Sequence, residues 1–263
     1  MSDGWVDIHC HLTPGIDDGA KSGAESIAMA QMAVAEGTRT VICTPHQLGN
    51  FRHNRGDEIR RQVQSLQELL NANRVPLVVL PGADVRIEDD MMSLLASGEV
   101  LTLGDLGKHV LLELPHDLYF PLESILDGLS KLGMVGILSH PERNRGILRE
   151  PAVMEPLIDA GCLMQITTGS LTGSFGPDCQ RLADQLVSRG HVHFLATDAH
   201  GAKARRPLIR EAYARAVELA GEKAATTMCQ TNPRLVAEGR AVRGGVMDVE
   251  PRRSGWRFWK RAS

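Results

Sequence analysis

The chain has no run of apolar residues long enough to cross a bilayer, which takes about 20 in a row. Its start, Met1-Ser2-Asp3-Gly4, lacks the charged and apolar regions of a signal peptide, so a cytoplasmic protein is expected. It lacks an excess of positive charge: the net charge is −3, and no basic field argues for a nucleic-acid partner. It lacks a disulfide framework, because five cysteines are an odd number without a repeating spacing, which fits a reducing compartment. What remains is 263 residues, 43% of them hydrophobic, enough for one large α/β barrel or two small domains with a full core.

Short apolar runs alternate with helical patterns almost throughout. Strands are expected at 5–11, 38–44, 75–82, 109–115, 134–139, 162–167 and 192–198, rich in Val, Ile and Leu as buried parallel strands are. Helices fill the gaps. The first is expected from Ser22, with Glu25 three residues on as a capping box, to a stop at Gly37. Others are expected over 57–72, 88–97, 121–132, 151–160, 178–189 and 207–220, several closing at Gly98, Gly133, Gly161, Gly190 and Gly221. Seven βα units with no doubled period predict a single barrel-like α/β domain over 1–240. An open doubly wound sheet is the alternative. Residues 241–263 break the pattern and end in Trp256-Arg257-Phe258-Trp259-Lys260-Arg261. A flexible or loosely docked tail is expected there. Aromatic and basic residues together also suit peripheral contact with a membrane surface or an acidic partner.

Eight metal-ligand residue types fall at the ends of the expected strands. His9 and His11 close the first strand. Their spacing puts both imidazoles on one face, because side chains alternate along a strand. The turn Pro14-Gly15-Ile16-Asp17-Asp18-Gly19 brings a carboxylate back, with Asp18 the expected ligand and Asp17 a turn residue or a support for the ligands. His46 follows Thr44-Pro45, and His140 stands in Ser139-His140-Pro141-Glu142-Arg143. Glu113 sits in the apolar run Leu111-Leu112-Glu113-Leu114-Pro115, where a carboxylate needs a metal or a buried arginine as partner. Asp198 and His200 end the last strand. Strand ends so far apart in sequence meet only if the sheet closes or curls. Imidazoles with carboxylates suit Zn, Mn or Fe, and the set exceeds one tetrahedral ion. Cys10 and Cys43 are expected beside the site as small apolar residues. His53, His109, His116, His191 and His193 read as ordinary histidines.

Arg143 lies three residues past His140, and Arg205-Arg206 lie just beyond His200. Arginine forks match phosphate oxygens, so the combination predicts phosphoester hydrolysis. Thr167-Thr168-Gly169-Ser170 adds hydroxyl or backbone donors, or is a plain turn.

These segments, together with Asp7-Ile8-His9-Cys10-His11, Pro81-Gly82-Ala83-Asp84-Val85-Arg86-Ile87, Leu112-Glu113-Leu114-Pro115, Thr168-Gly169-Ser170-Leu171 and Thr197-Asp198-Ala199-His200, resemble the polymerase and histidinol phosphatase (PHP) superfamily. Within it the chain is similar to the CpsB/YwqE-type metal-dependent protein-tyrosine phosphatases of capsule and exopolysaccharide operons, over about residues 5–236. The resemblance implies a distorted seven-stranded TIM-like barrel and three divalent ions. Manganese is foremost among them, with iron, zinc or magnesium as alternatives. It implies His9, His11, Asp18, His46, Glu113, His140, Asp198 and His200 as ligands, and attack by metal-bound hydroxide, with Asp198 a candidate acid. Arg143 and Arg206 become the phosphate binders, with Arg205 the rival for the second place. Asp84 stands where the family usually carries a bridging glutamate, and is counted as a ligand. The implied partner is a tyrosine-phosphorylated bacterial kinase that controls polysaccharide export. The residues set no oligomeric state.

No cysteine here has arginine six residues on, which rules out the Cys-x5-Arg phosphate loop. Three other readings remain: a small-molecule phosphomonoesterase, for example on histidinol phosphate; a catalytically weak metal-binding regulatory module; and a deaminase-like amidohydrolase. The last commonly uses a lysine at its bridging position, whereas the fourth strand offers Glu113.

Overall fold

The computed structural model describes residues 4–250. Nine strands form among the described residues, seven of them within the expected runs: β1 (Trp5–Cys10), β2 (Thr38–Cys43), β3 (His46–Gln47), β4 (Val78–Pro81), β5 (Asp84–Arg86), β6 (His109–Glu113), β7 (Val135–Ser139), β8 (Leu163–Thr167) and β9 (Phe194–Ala196). All neighbouring pairs are parallel, in two sheets ordered β1-β2-β4 and β3-β5-β6-β7-β8-β9. Two short strands, β3 and β5, lie just past the expected runs 38–44 and 75–82 and were not expected from the sequence. Pro45, which has no N–H to give a ladder, separates β2 from β3. Gly82 separates β4 from β5, and a Cβ there would meet Ile42 Cγ2 at 2.7 Å, so only glycine lets the chains pass so closely. At the other edge β9 leads straight against β1: His11 N donates to Ala199 O at 2.9 Å and Asp198 N to His9 O at 2.7 Å. Cys10 and Ala199 form a parallel bridge between them.

Helices α1 (Gly23–Glu36), α2 (Gly56–Ala72), α3 (Met91–Ser97), α4 (Glu123–Lys131), α5 (Arg145–Arg149), α6 (Met154–Asp159), α7 (Thr168–Leu171), α8 (Pro177–Ser188) and α9 (Arg210–Ala220) connect the strands. Ser22 caps α1 by accepting from Glu25 N, and Gly37 ends it at φ +100°. The Glu25 carboxylate accepts from Lys21 N rather than closing the expected box on Ser22. The sequence reading missed α5, α7 and the helical run α10 (Glu222–Thr226) and α11 (Asn232–Ala237).

The inner faces of the strands explain where a site can form. Leu111, Ile137, Leu163 and Phe194 pack in an inner core with Val6, Ile8 and Ile42, closed at the amino-terminal ends by Val236 and Ala237 of α11. Two residues later along the same faces come Glu113, Ser139 and Gln165, so each inward row turns from apolar to polar toward its carboxyl end. In β1 the change of side occurs at a register irregularity between Asp7 and Cys10. It lets His9 and His11 reach the site although Val6 and Ile8 face the core.

Residues 242–250, at the start of the expected tail, are docked. Val242 packs on the inner core, Met247 N donates to Gly190 O, and Glu250 N donates to Ala220 O. The aromatic and basic stretch Trp256–Arg261 lies outside the described residues.

Candidate metal centre

The carboxyl ends of the strands bring the nine ligand candidates together. Their ligand atoms fall into four groups, each within 4.8 Å: His11, Asp18, His46 and His200; His9, His11 and Asp84; His9, His140 and Asp198; His46, Asp84 and Glu113. His9 Nε2 lies 3.2 Å from Asp198 Oδ1 and 3.5 Å from Asp84 Oδ2. His46 Nδ1 is 3.4 Å from Asp84 Oδ2, and His200 Nε2 is 3.4 Å from Asp18 Oδ1. Asp84, His9, His11 and His46 each belong to two groups, so the groups form one continuous cluster. His140 and Asp198 hold left-handed backbone, at φ +34° and +48°. Non-glycine residues keep that conformation only where their surroundings enforce it.

Supporting side chains aim the imidazoles. Gln165 Oε1 accepts from His9 Nδ1 at 2.8 Å, which leaves Nε2 with a lone pair toward the centre. Asp17 Oδ2 does the same for His11 Nδ1 at 2.8 Å and also accepts from His46 N. Its other oxygen accepts from Gly19 N, so Asp17 is both turn residue and ligand support. Buried Asp7 accepts from His9 N, Thr197 N and Thr197 Oγ1, lashing the first strand to the last beneath the cluster. The Phe51 ring stacks on His46 at 5.2 Å.

The electrostatics fit cations at the centre. Asp84 is fully buried, yet neither carboxylate oxygen has a hydrogen-bond donor. Buried carboxylates are not left bare, and the surrounding ring nitrogens are suited to share an ion with it. Burial alone would lower the pKa of His9, but Asp198 and Asp84 outweigh it and raise the ring to about 9. His46 rises to about 9 in the same way, against burial, through Asp18, Asp84 and Glu113. Burial and then Asp84 push Glu113 up to about 7. Burial would raise Asp84, but His9 and His46 hold it below the ordinary carboxylate range. The carboxylates call for positive charge among them, and either ring protons or metal ions supply it.

Two guanidinium groups flank the cluster. Arg143 Nη1 and Arg205 Nη2 both bond Asp198 Oδ2, the second at 2.5 Å. Both face the Phe175 ring, at 4.3 and 5.9 Å from its centroid. Arg206, expected to rank ahead of Arg205, is exposed and lines the neighbouring cavity instead. The reason is local: Arg205 takes φ +47° with its carbonyl bonded to His200 N, and this turns its side chain inward. Thr167 N and Ser170 Oγ donate to buried Glu142 at 3.0 and 2.7 Å, so that segment braces the Arg143 turn.

The family model for capsular polysaccharide synthesis proteins, CpsB/CapC, matches residues 5–238. The chain belongs to this family. It is 39% identical over 209 residues to the tyrosine-protein phosphatase YwqE of Bacillus subtilis, covering 79% of this chain and 82% of that protein. It is 27% identical to the tyrosine-protein phosphatase CpsB of Streptococcus pneumoniae, over 88% of this chain and 97% of that one. One solved chain, from the crystal structures of YwqE from B. subtilis and CpsB from S. pneumoniae, which are described as unique metal-dependent tyrosine phosphatases, superposes with a TM-score of 0.88 at 34% identity. That match covers 94% of this chain and 100% of the other. A phosphotriesterase homology protein from Escherichia coli shares the fold at a TM-score of 0.55 and 12% identity, over 88% of this chain and 97% of that one.

For a CpsB/CapC chain, the supports were harder to read than the ligands. Gln165 lies in an apolar strand 156 positions from His9, and no motif marks it. Its only signal is a polar side chain at an inward position of a buried run. Phe175 carries no signal in sequence.

Proposed function

We propose that this protein is a metal-dependent protein-tyrosine phosphatase of capsule or exopolysaccharide synthesis. One observation carries the reading: a histidine and carboxylate cluster with two guanidinium groups converging on its Asp198, in a chain 39% identical to a tyrosine phosphatase. The two sheets are read as one distorted (βα)7 barrel, in which β2 continues into β3 and β4 into β5, and the Cys10–Ala199 bridge completes the circuit.

His9, His11, Asp18, His46, Asp84, Glu113, His140, Asp198 and His200 are the proposed holders of three divalent ions, foremost manganese, Asp84 belonging to two of the four ligand groups. Such ions neutralise phosphoryl charge and bring the pKa of water toward neutrality. Arg143 and Arg205 bind phosphoryl oxygens, and their shared place on Asp198 sets both forks toward one point. The phenolate leaves readily because its conjugate acid has a pKa of about 10, well below that of an alkyl alcohol. The cysteines do not favour a thiolate route: burial pushes Cys43 and Cys162 up to about 12 and raises Cys10, Cys179 and Cys229 as well. The proposed substrate is a tyrosine-phosphorylated bacterial kinase, reached in the cytoplasm. Among the described residues no helix is long and apolar enough to cross a membrane.

Turnover of phosphotyrosine peptides and of histidinol phosphate, each with manganese and with chelator, tests the reading. Chelator-sensitive turnover favouring the peptides is expected. Strong preference for histidinol phosphate, or full activity after stripping, would overturn it.

A further inference from the structure

A cavity of ≈ 470 Å³ opens beside the metal centre, with Thr168, Phe175, Lys203, Arg205, Arg206 and Glu211 among its walls. Arg205 joins the two spaces: it bonds Asp198 on one side and faces Phe175 on the other. The walls hold three cationic side chains against one carboxylate, although the chain as a whole carries −3. Of the three, only Arg205 is ion-paired. Among the described residues no carboxylate lies within ion-pair distance of Lys203 or Arg206, and both are exposed; the Glu25 carboxylate acts on Lys203 from farther off. The cleft on the opposite side of the cluster differs. It is lined by His46, Phe51, Arg86 and Glu113, and its one arginine already faces Glu113 at 3.5 Å. Exposed positive charge without a carboxylate at ion-pair distance is therefore concentrated on the Phe175 side.

Two exposed cations are too few for a nucleic-acid backbone, which needs an extended basic surface. They suit a single acidic group delivered beside a phosphoryl group already held by Arg143 and Arg205. A polypeptide substrate can deliver one in the side chains next to its phosphotyrosine, whereas histidinol phosphate, which has no carboxylate, cannot. We propose that this cavity is a specificity subsite in which Lys203 and Arg206 bind an acidic side chain flanking the phosphotyrosine. The proposal rests on the phosphatase reading above and adds a substrate class to it.

The test uses the full chain with manganese and three substrates. One is p-nitrophenyl phosphate. The second is a phosphotyrosine peptide with Asp and Glu on both sides, and the third is the same peptide with Asn and Gln in their places. The acidic peptide is expected to show a KM about three- to tenfold lower at similar kcat, the size of partly exposed charge pairs. Raising the salt compresses the ratio, because exposed charges are screened. Lys203→Gln removes most of the preference and Lys203→Glu reverses it, while turnover of p-nitrophenyl phosphate stays unchanged in both. Arg206→Gln lowers the peptide ratio in the same direction. Equal KM values for the two peptides, or a preference that survives Lys203→Glu, overturn the subsite and leave the phosphatase reading intact. Failure of the metal-loaded protein to hydrolyse p-nitrophenyl phosphate overturns both.

Discussion

Gln165 aims His9, and its effect is separable from that of the ligands. Its Oε1 fixes the proton on Nδ1, so Nε2 faces the cluster. Gln165→Leu leaves that N–H without a partner in a fully buried place, and metal affinity or turnover is expected to fall about 10- to 100-fold. Gln165→Glu keeps an acceptor at the same point and is expected to recover most of the loss. Metal content per chain and kcat for phosphotyrosine check both, and equal damage from the two variants would sink the aiming role. The neighbouring arginines show the limit of legibility at this scale. Arg205 and Arg206 are identical and adjacent, so their types could not rank them. The choice lies in a left-handed φ at Arg205, set by the bond that His200 N donates to the Arg205 carbonyl across the loop. His9, His11, His46 and His140 were legible because their spacing and flanking prolines act locally.

At the scale of elements, the strands were readable from runs of Val, Ile and Leu, which burial on both faces demands. The short strands β3 and β5 beyond them were not, because the close passage at Gly82 that leads into β5 depends on Ile42 in a neighbouring strand. The run α10–α11 was missed for a related reason: its residues close the inner core only once the strands have gathered. Two buried histidines at amino-terminal strand ends now separate by their partners. His193 Nδ1 accepts from Met164 N and its Nε2 donates to Gly245 O, pinning residues 242–250, whereas both nitrogens of His109 lack partners. Burial lowers both pKa values to about 4 from 6.5. The unfolded chain thus binds more protons between these values. Each neutral ring contributes stability that is full above pH 6.5 and is lost as pH falls toward 4, about 1–2 kcal/mol per ring between pH 7 and 5. His193→Leu is expected to cost about 1–3 kcal/mol at pH 7 by stranding its two backbone partners. His109→Leu is expected to be neutral or stabilising, and to flatten the acid limb of the curve. Denaturant titrations at pH 7 and pH 5 read both, and a costly His109→Leu would contradict the absence of partners.

At the scale of the whole molecule, the ligands run from His9 to His200, so the cluster ties the first strand to the last and to the strands between them. The three apolar clusters hold the fold without drawing on any ligand side chain. Binding of the proposed ions is therefore expected to be coupled to folding but separable from it, unlike small metal domains that unfold without their ion. Binding to the folded chain alone adds about 2.7 kcal/mol per site at a hundredfold excess over Kd. At about 2–4 °C per kcal/mol for a chain of this size, one site at that excess raises Tm by about 5–10 °C. Chelated protein is expected to keep its far-UV circular dichroism, melt lower and lose phosphotyrosine turnover, with manganese restoring both. His140→Ala is expected to shrink the manganese-dependent rise in Tm while leaving the chelated Tm within a few degrees of the parent. A chelated sample that melts at the same temperature and turns over at the same rate would mean that the strand ends gather these side chains for something other than metal.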